Sequence, residues 1–240
     1  MLYLFKILSK ISIEKLYVLS SLLHELIYYF FSYRKKIIEK NLKKVFPNEP
    51  KNKIKKLQKN FYKHFIDVIF ETIKLLDFSE NDLKKRIHII NPEIIIKEKE
   101  NKKPIIIVAG HYANWEWLLA YICIFLKKNI YAIYKPLKNK FFNNLILKIR
   151  QKFGAKMLKK THAGKFILKN LKKENIYFIL ADQVPENLNN VHLSSFLKLS
   201  TSFSTGFERL SLKTNATVFY AEMRKTKKGF YNIQIHKINN

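Results

Sequence analysis

His111 and Glu116 are the two side chains of this 240-residue sequence whose types and spacing most directly suggest chemistry. The apolar run Ile105-Ile106-Ile107-Val108-Ala109 ends at Gly110, and a helical-period segment carrying Leu118, Leu119 and Ile122 begins a few residues later. His111 is therefore expected at the carboxyl end of a buried strand, the place where open α/β sheets bind ligands. Five positions turn an ideal helix through about 140°, so the two side chains can meet only if His111 precedes the helix and Glu116 lies in its first turn. A carboxylate so placed would fix the imidazole tautomer and stabilise the imidazolium, leaving the other ring nitrogen to take a proton from an alcohol. Helix N-terminal amides nearby would favour a developing oxyanion. Spacing alone does not separate this reading from a structural His–Glu pair.

The elements around this segment predict an α/β fold. Short β-rich runs at Arg86–Ile90, Pro104–Ala109, Ile130–Tyr134, Ile176–Ala181, Ala216–Arg224 and Phe230–Ile235 are separated mostly by helical-period segments, with Lys227-Lys228-Gly229 as a hairpin turn. Upstream the texture is helical. Ile54, Leu57, Phe61, Phe65, Val68 and Leu75 recur at three- and four-residue steps and predict an amphipathic helix over Lys51–Leu76, after Pro47 and Pro50. The expected organisation is a helical, membrane-associating subdomain over 1–78 followed by an α/β domain over 79–240, a mixed sheet flanked by helices. The single cysteine, Cys123, lies in the apolar stretch Leu118–Leu126 and reads as a small core residue. It rules out an internal disulfide framework and a Cys-rich zinc site.

Leu16–Phe31 is mostly apolar but short for a membrane span, and it contains His24 and Glu25. Lys6, Lys10 and Lys15 precede it and Arg34, Lys35, Lys36 and Lys40 follow, so charge gives no preferred direction of insertion. The segment is expected to lie in the membrane interface on the cytoplasmic side, the alternative being a buried first helix. With 46 Lys+Arg against 18 Asp+Glu, the chain carries a formal charge of +28, which suits polyanionic partners. Nucleic acid is one such partner, but there are only five arginines, lysines spread over every segment, and no recognisable nucleic-acid motif. The seven histidines are scattered without H-E-x-x-H, and no G-x-S-x-G elbow occurs, which argues against a metal hydrolase and a serine hydrolase.

His111-x4-Glu116 after a strand resembles the motif of the lysophospholipid/glycerolipid acyltransferase superfamily, and the surrounding blocks are similar to its lipid A biosynthesis branch. Those blocks are Arg34 to Pro47 with Asn41-Leu42 and Phe46-Pro47, Tyr134-Lys135-Pro136-Leu137-Lys138-Asn139, Arg150-Gln151-Lys152-Phe153-Gly154, Ala181-Asp182-Gln183, and Thr201-x-Phe203-x-Thr205-Gly206. Each is weak alone, but their ordered succession over nearly the whole chain is specific. The resemblance implies acyl transfer to a hydroxyl of a lipid acceptor, such as a lipid A precursor or lysophospholipid, without a covalent acyl-enzyme. The donor would be an acyl thioester on acyl carrier protein or coenzyme A.

On this resemblance His111 would be the general base and Glu116 its orienting carboxylate. Lys135 and Arg150 would bind acceptor phosphate or donor phosphopantetheine, Lys135 without the bidentate fork of the arginine that the family pattern has there. Lys152 could equally be the basic contact of its segment. Asp182 reads either as a wall of the site or as an N-terminal cap for the next turn. Trp115 and Trp117 read as core residues or interfacial anchors. No cofactor and no metal are implied, no nucleic acid is expected, and the cytoplasmic face of the inner membrane is the expected location. The family usually continues beyond the final hairpin, whereas this sequence stops at Asn239-Asn240, so an inactive membrane-bound member of the same fold is a further alternative.

Overall fold

The computed structural model describes residues 2–31, 34–99, 101, 103–170, 174–185 and 191–238; Asn239 and Asn240 lie outside this set. The chain forms two compact units, one comprising residues 1–77 with 193–201 and the other 78–192 with 202–240.

The first unit is built on helices α1 (Leu2–Lys10), α2 (Ile13–Leu26), α3 (Lys35–Val45) and α4 (Lys51–Lys74), with a π-helical turn at Ile27–Phe31 between α2 and α3. Leu16, Ile66 and Phe70 form its apolar centre, with Ile11, Leu19, Leu23 and Ile27 packed around them. Buried polar groups tie α2 to α4: Ser20 Oγ donates to Asp67 Oδ1 at 2.6 Å and the Tyr17 hydroxyl to Glu71 Oε1 at 2.6 Å. At the end of α4, Lys74 Nζ donates to the Ser9 carbonyl at 2.7 Å and pairs with Asp77 at 2.7 Å.

The amphipathic helix covers nearly the expected range, but its buried stripe is displaced. Ile54, Gln58, Tyr62, Ile66 and Phe70 face inward, whereas Phe61 is 46% exposed and stacks on Phe65. The apolar pattern misplaces the face because polar side chains with partners occupy part of it; Gln58 Nε2 donates to the Lys35 carbonyl at 2.7 Å.

The second unit holds a seven-stranded mixed sheet in the order β1-β9-β8-β2-β5-β3-β4. The strands are β1 (Ile87–Ile89), β2 (Ile105–Ala109), β3 (Ile130–Tyr134), β4 (Lys156–Lys159), β5 (Ile176–Leu180), β8 (Thr217–Lys227) and β9 (Phe230–Ile238). Strands β8, β2, β5, β3 and β4 are mutually parallel, β9 is antiparallel to β8, and β1 is parallel to β9. Connecting segments carry α5 (Glu80–Lys84), α6 (Glu93–Lys99), α7 (Trp115–Leu126), α8 (Lys140–Gln151), α9 (Lys160–Lys169) and α10 (Gly206–Thr214). This is the alternation of strands and crossover helices that a mostly parallel sheet requires.

Every residue of β2 is buried, consistent with a central strand covered on both faces. Ile106 and Val108 join Ile167, Tyr177 and Val218 in the core. Cys123 is buried on α7, and burial pushes its thiol up to about 12. Trp117, fully buried, packs edge-on to Tyr231 at 5.7 Å and against Phe78 at 5.4 Å, and is therefore a core residue.

Three strands escape the sequence reading. β4 is a short edge strand whose Lys-Met-Leu-Lys run carries little apolar signal. β6 (Val191–Phe196) and β7 (Leu199–Ser204) form a separate two-stranded hairpin in which β6 is largely exposed and β7 mostly half-buried. Its turn residues Leu197 and Lys198 take positive φ without the glycine that usually advertises such a turn.

Candidate active site

The parallel register of β2 and β5 assembles the centre of the site. Ala109 pairs with Leu180, so His111 and Asp182 each lie two residues beyond that pair, side by side at the carboxyl edge of the sheet. Asp182 grips His111 twice: the imidazole Nδ1 lies 2.7 Å from Oδ1, and the His111 backbone N–H donates to Oδ2 at 2.8 Å. Burial works against the Asp182 charge. The hydrogen bonds from the His111 ring and backbone outweigh it and hold the carboxyl below the usual carboxylate range. An ionised Asp182 makes Nδ1 the protonated nitrogen and leaves Nε2 as the acceptor. Gln183 Nε2 stands 3.5 Å from that Nε2, at the limit of a hydrogen bond.

Helix α7 starts immediately after this loop because Asn114, fully buried, caps it: its Oδ1 accepts the Trp117 backbone N–H at 2.9 Å. Ala113, just before the cap, takes φ 51° and turns the chain from strand into helix.

Glu116 thus lies in the first turn of α7, as expected, but its carboxylate serves a different partner. Arg150 donates from Nε to Oε2 at 2.8 Å and from Nη2 to Oε1 at 2.6 Å, and the Trp115 indole N–H donates to Oε1 at 3.0 Å. Glu116 is 6% exposed and Arg150 19%, so this is a two-point ion pair largely shielded from water. Burial opposes the Arg150 charge, and the bonds to Glu116 outweigh it, pushing the guanidinium pKa up. In the structure Asp182 holds the imidazole, level with His111 across two adjacent strands, while the Glu116 carboxylate is bonded from α8. Trp115 stands between the two pairs. Its ring meets His111 edge-on at 5.2 Å while its N–H reaches Glu116.

The remaining expected site residues are placed as follows. Lys135 is exposed one residue past the end of β3, which is parallel to β5 and reaches the same carboxyl edge. The block around it is shaped by two asparagines: Asn143 Oδ1 accepts the Leu137 N–H at 3.0 Å, and Asn139 Oδ1 caps α8 through the Phe142 N–H at 3.1 Å. Lys152 is exposed, and its ammonium donates to the Phe78 carbonyl at 2.6 Å. Among the described residues no three His, Cys, Asp or Glu side chains are grouped closely enough to hold a metal ion.

The sequence model of the bacterial lipid A biosynthesis acyltransferase family matches residues 1–238. The chain belongs to that family. No curated protein matches it. The acyltransferase accordingly carries its His111-x4-Glu116 motif on the β2–α7 junction, with the two motif residues in separate hydrogen-bonded pairs bridged by Trp115.

Proposed function

We propose that the protein transfers a fatty acyl group from an acyl thioester, on acyl carrier protein or coenzyme A, to a hydroxyl of a lipid acceptor such as a lipid A precursor. His111 Nε2 takes the hydroxyl proton, and the alcohol oxygen attacks the thioester carbonyl. The tetrahedral intermediate then collapses, the C–S bond breaks, and the imidazolium returns its proton to the thiolate. Asp182 keeps Nδ1 protonated and balances the positive charge that forms on the ring. Glu116 and Arg150 hold the start of α7 against α8 and, through Trp115, fix the imidazole plane. Lys135 is the exposed cation at the same sheet edge and is assigned to acidic groups of donor or acceptor.

The observation that carries this reading is the doubly bonded His111–Asp182 pair at the carboxyl edge of parallel strands in a chain of this family. Incubating membranes with labelled acyl thioester and identifying the lipid that acquires label tests it. His111→Ala should lower transfer about 10²–10⁴-fold without unfolding the protein, the usual worth of one general base. A folded His111→Ala variant working at near wild-type speed would sink the mechanism.

Attachment to the cytoplasmic face of the inner membrane is part of the same reading. No helix among the described residues is long and apolar enough to cross a membrane. Helix α2 nevertheless exposes Val18, Leu22 and Leu26, and the turn after it exposes Tyr29 and Phe30. Arg34, Lys36 and Lys40 follow directly, and the combination suits a helix lying in an anionic interface.

A further inference from the structure

Asp182 and Gln183 are consecutive residues whose side chains reach the two different nitrogens of one imidazole. The ladder between β2 and β5 runs one bond past the paired strand ends, with the Ala181 N–H donating to the Ala109 carbonyl at 3.0 Å. The chain is thus anchored just before Asp182. The Asp182 carboxylate then takes both the ring Nδ1 and the backbone N–H of His111, at 2.7 and 2.8 Å. That double contact holds residue 182 against the ring and fixes the point from which the next side chain starts. The Gln183 carboxamide reaches the second ring nitrogen, its Nε2 lying 3.5 Å from His111 Nε2.

This carboxamide has no other duty. Gln183 is exposed and makes no further hydrogen bond among the described residues. The polar groups around it are engaged: Asp182 by His111, and Arg150 by Glu116 at 2.8 and 2.6 Å. The Trp115 ring meets the imidazole edge-on at 5.2 Å, but its N–H is given to Glu116 at 3.0 Å. A neutral N–H donor therefore stands uncommitted beside the ring nitrogen that is left to take a proton.

A separation of 3.5 Å is long for a hydrogen bond between the two nitrogens, so little is lost when a substrate oxygen replaces it. An oxygen at proton-transfer distance from His111 Nε2, about 2.8 Å, lies within reach of the Gln183 amide. Two oxygens meet there during transfer, the attacking hydroxyl and the thioester carbonyl, joined to the same carbon once the tetrahedral intermediate forms. A donor on the hydroxyl draws on the lone pair that must attack. A donor on the carbonyl oxygen strengthens as charge develops and lowers the barrier.

From this placement we propose that Gln183 is a further catalytic residue, its carboxamide N–H donating to the thioester carbonyl oxygen as that oxygen becomes negative. The inference rests on the acyltransferase reading. The hydroxyl proton passes to His111 Nε2, the C–O bond forms, and the carbonyl electron pair moves onto the oxygen that Gln183 holds. The pair returns as the C–S bond breaks, and the imidazolium gives its proton to the departing sulfur. Asp182 balances the charge on the ring and Gln183 the charge on the oxyanion, so two adjacent residues at the end of β5 serve the two charges that form.

Gln183→Met keeps the bulk of the side chain and removes the donor. Kinetics of the intact protein, with saturated acyl thioesters of acyl carrier protein and of coenzyme A as donors and a total lipid extract as acceptor, test the role. In Gln183→Met, kcat should fall about 10²–10³-fold, the usual worth of one oxyanion donor, with both apparent KM values little changed. Because the oxyanion forms whatever the nucleophile, hydrolysis of the thioester by water without acceptor should slow by the same factor. The pH profile of kcat should keep its inflection, since a carboxamide does not titrate, and the denaturant midpoint should match the wild type because the side chain is exposed. Gln183→Asn, one methylene shorter, should fall between the two. Near wild-type transfer by Gln183→Met overturns the assignment, and so does a raised acceptor KM with hydrolysis unaffected, which would make Gln183 a contact to the acceptor. His111→Ala measured alongside separates the two levels. If His111→Ala is inactive and Gln183→Met is unimpaired, only the role of Gln183 fails; if neither change matters, the acyltransferase mechanism fails with it.

Discussion

Glu116 and Arg150 are joined by two hydrogen bonds of 2.8 and 2.6 Å across the start of α7 and the last turn of α8, in a setting where neither charge has much water. Removing one member strands the other, which costs about 2–4 kcal/mol when the pair is mostly buried. Glu116→Gln and Arg150→Met should each destabilise by that order, and the double variant should be no worse than the poorer single. Urea unfolding of the three variants measures the coupling. Additive losses would show that the two side chains act independently and that their contact is incidental.

Much of the sheet was legible in the sequence because β2, β3 and β5 are short apolar runs set among helical-period segments and β8 and β9 flank a glycine turn. The pairing at the site was not. Asp182 could be singled out only as one end of a strand, since its contact with His111 depends on β2 and β5 being neighbours, a relationship between positions 71 residues apart. The partner of Glu116 was hidden for a related reason. Glu116 lies in the first turn of α7 as its spacing requires, but its partner comes from α8, which no local pattern ties to it. In the first unit, the buried and hydrogen-bonded Ser20, Asp67 and Glu71 interrupt the apolar stripe on which a periodicity argument depends.

Glu98 supplies a pH signature that is separate from catalysis. Its carboxylate accepts Lys237 Nζ at 2.6 Å and the Thr217 hydroxyl at 2.7 Å, tying α6 to β9 and β8. The bond from Lys237 outweighs the opposing effect of burial and, with Thr217, lowers its pKa to about 2 from an ordinary value of 4.5. A depressed carboxyl pKa gives stability that is fully present above pH 4.5 and lost as pH falls toward 2. The contribution should be on the order of 2 kcal/mol, reduced by salt because Lys237 is 48% exposed. Denaturant midpoints measured from pH 6 down to 2 should therefore fall less steeply in Glu98→Gln than in the wild type. Parallel curves would remove Glu98 from the acid response.

Membrane attachment should depend on the exposed side of α2. Val18 and Leu22 are each 63% exposed and Leu26 52%, and inserting such side chains into an interface is worth about 1–2 kcal/mol apiece. Replacing all three by serine should release the protein from anionic vesicles in a flotation assay. Their exposure in the fold means that thermal stability should hardly move. Juxtamembrane cations add roughly 1 kcal/mol each and are screened by salt, so Lys36→Gln with Lys40→Gln should weaken binding at low salt more than at high salt. Undiminished flotation of the triple serine variant would eliminate α2 as the anchor.

Lys135 offers the sharpest separation between a confined anion site and general electrostatic attraction. It stands exposed at the carboxyl edge of the sheet beyond β3, and its charge should be felt by whatever acidic group docks beside His111. An exposed cation contacting phosphate contributes about 1 kcal/mol after screening, so Lys135→Gln should raise the apparent KM for a phosphorylated acceptor or for acyl carrier protein roughly fivefold. Lys55 and Lys56, exposed on α4, serve as controls with the same change in net charge. Lys59 would be a poor control because it pairs with Glu25 at 2.8 Å. If the attraction is merely that of a chain with a formal charge of +28, neutralising Lys55 and Lys56 together should hurt at least as much as neutralising Lys135. If a pocket is at work, only Lys135→Gln should change KM, with kcat spared because the cation binds the head group and takes no part in proton transfer. Steady-state kinetics of the variants at two salt concentrations decide the matter, and equal losses at both places would dissolve the assignment of Lys135 to the site.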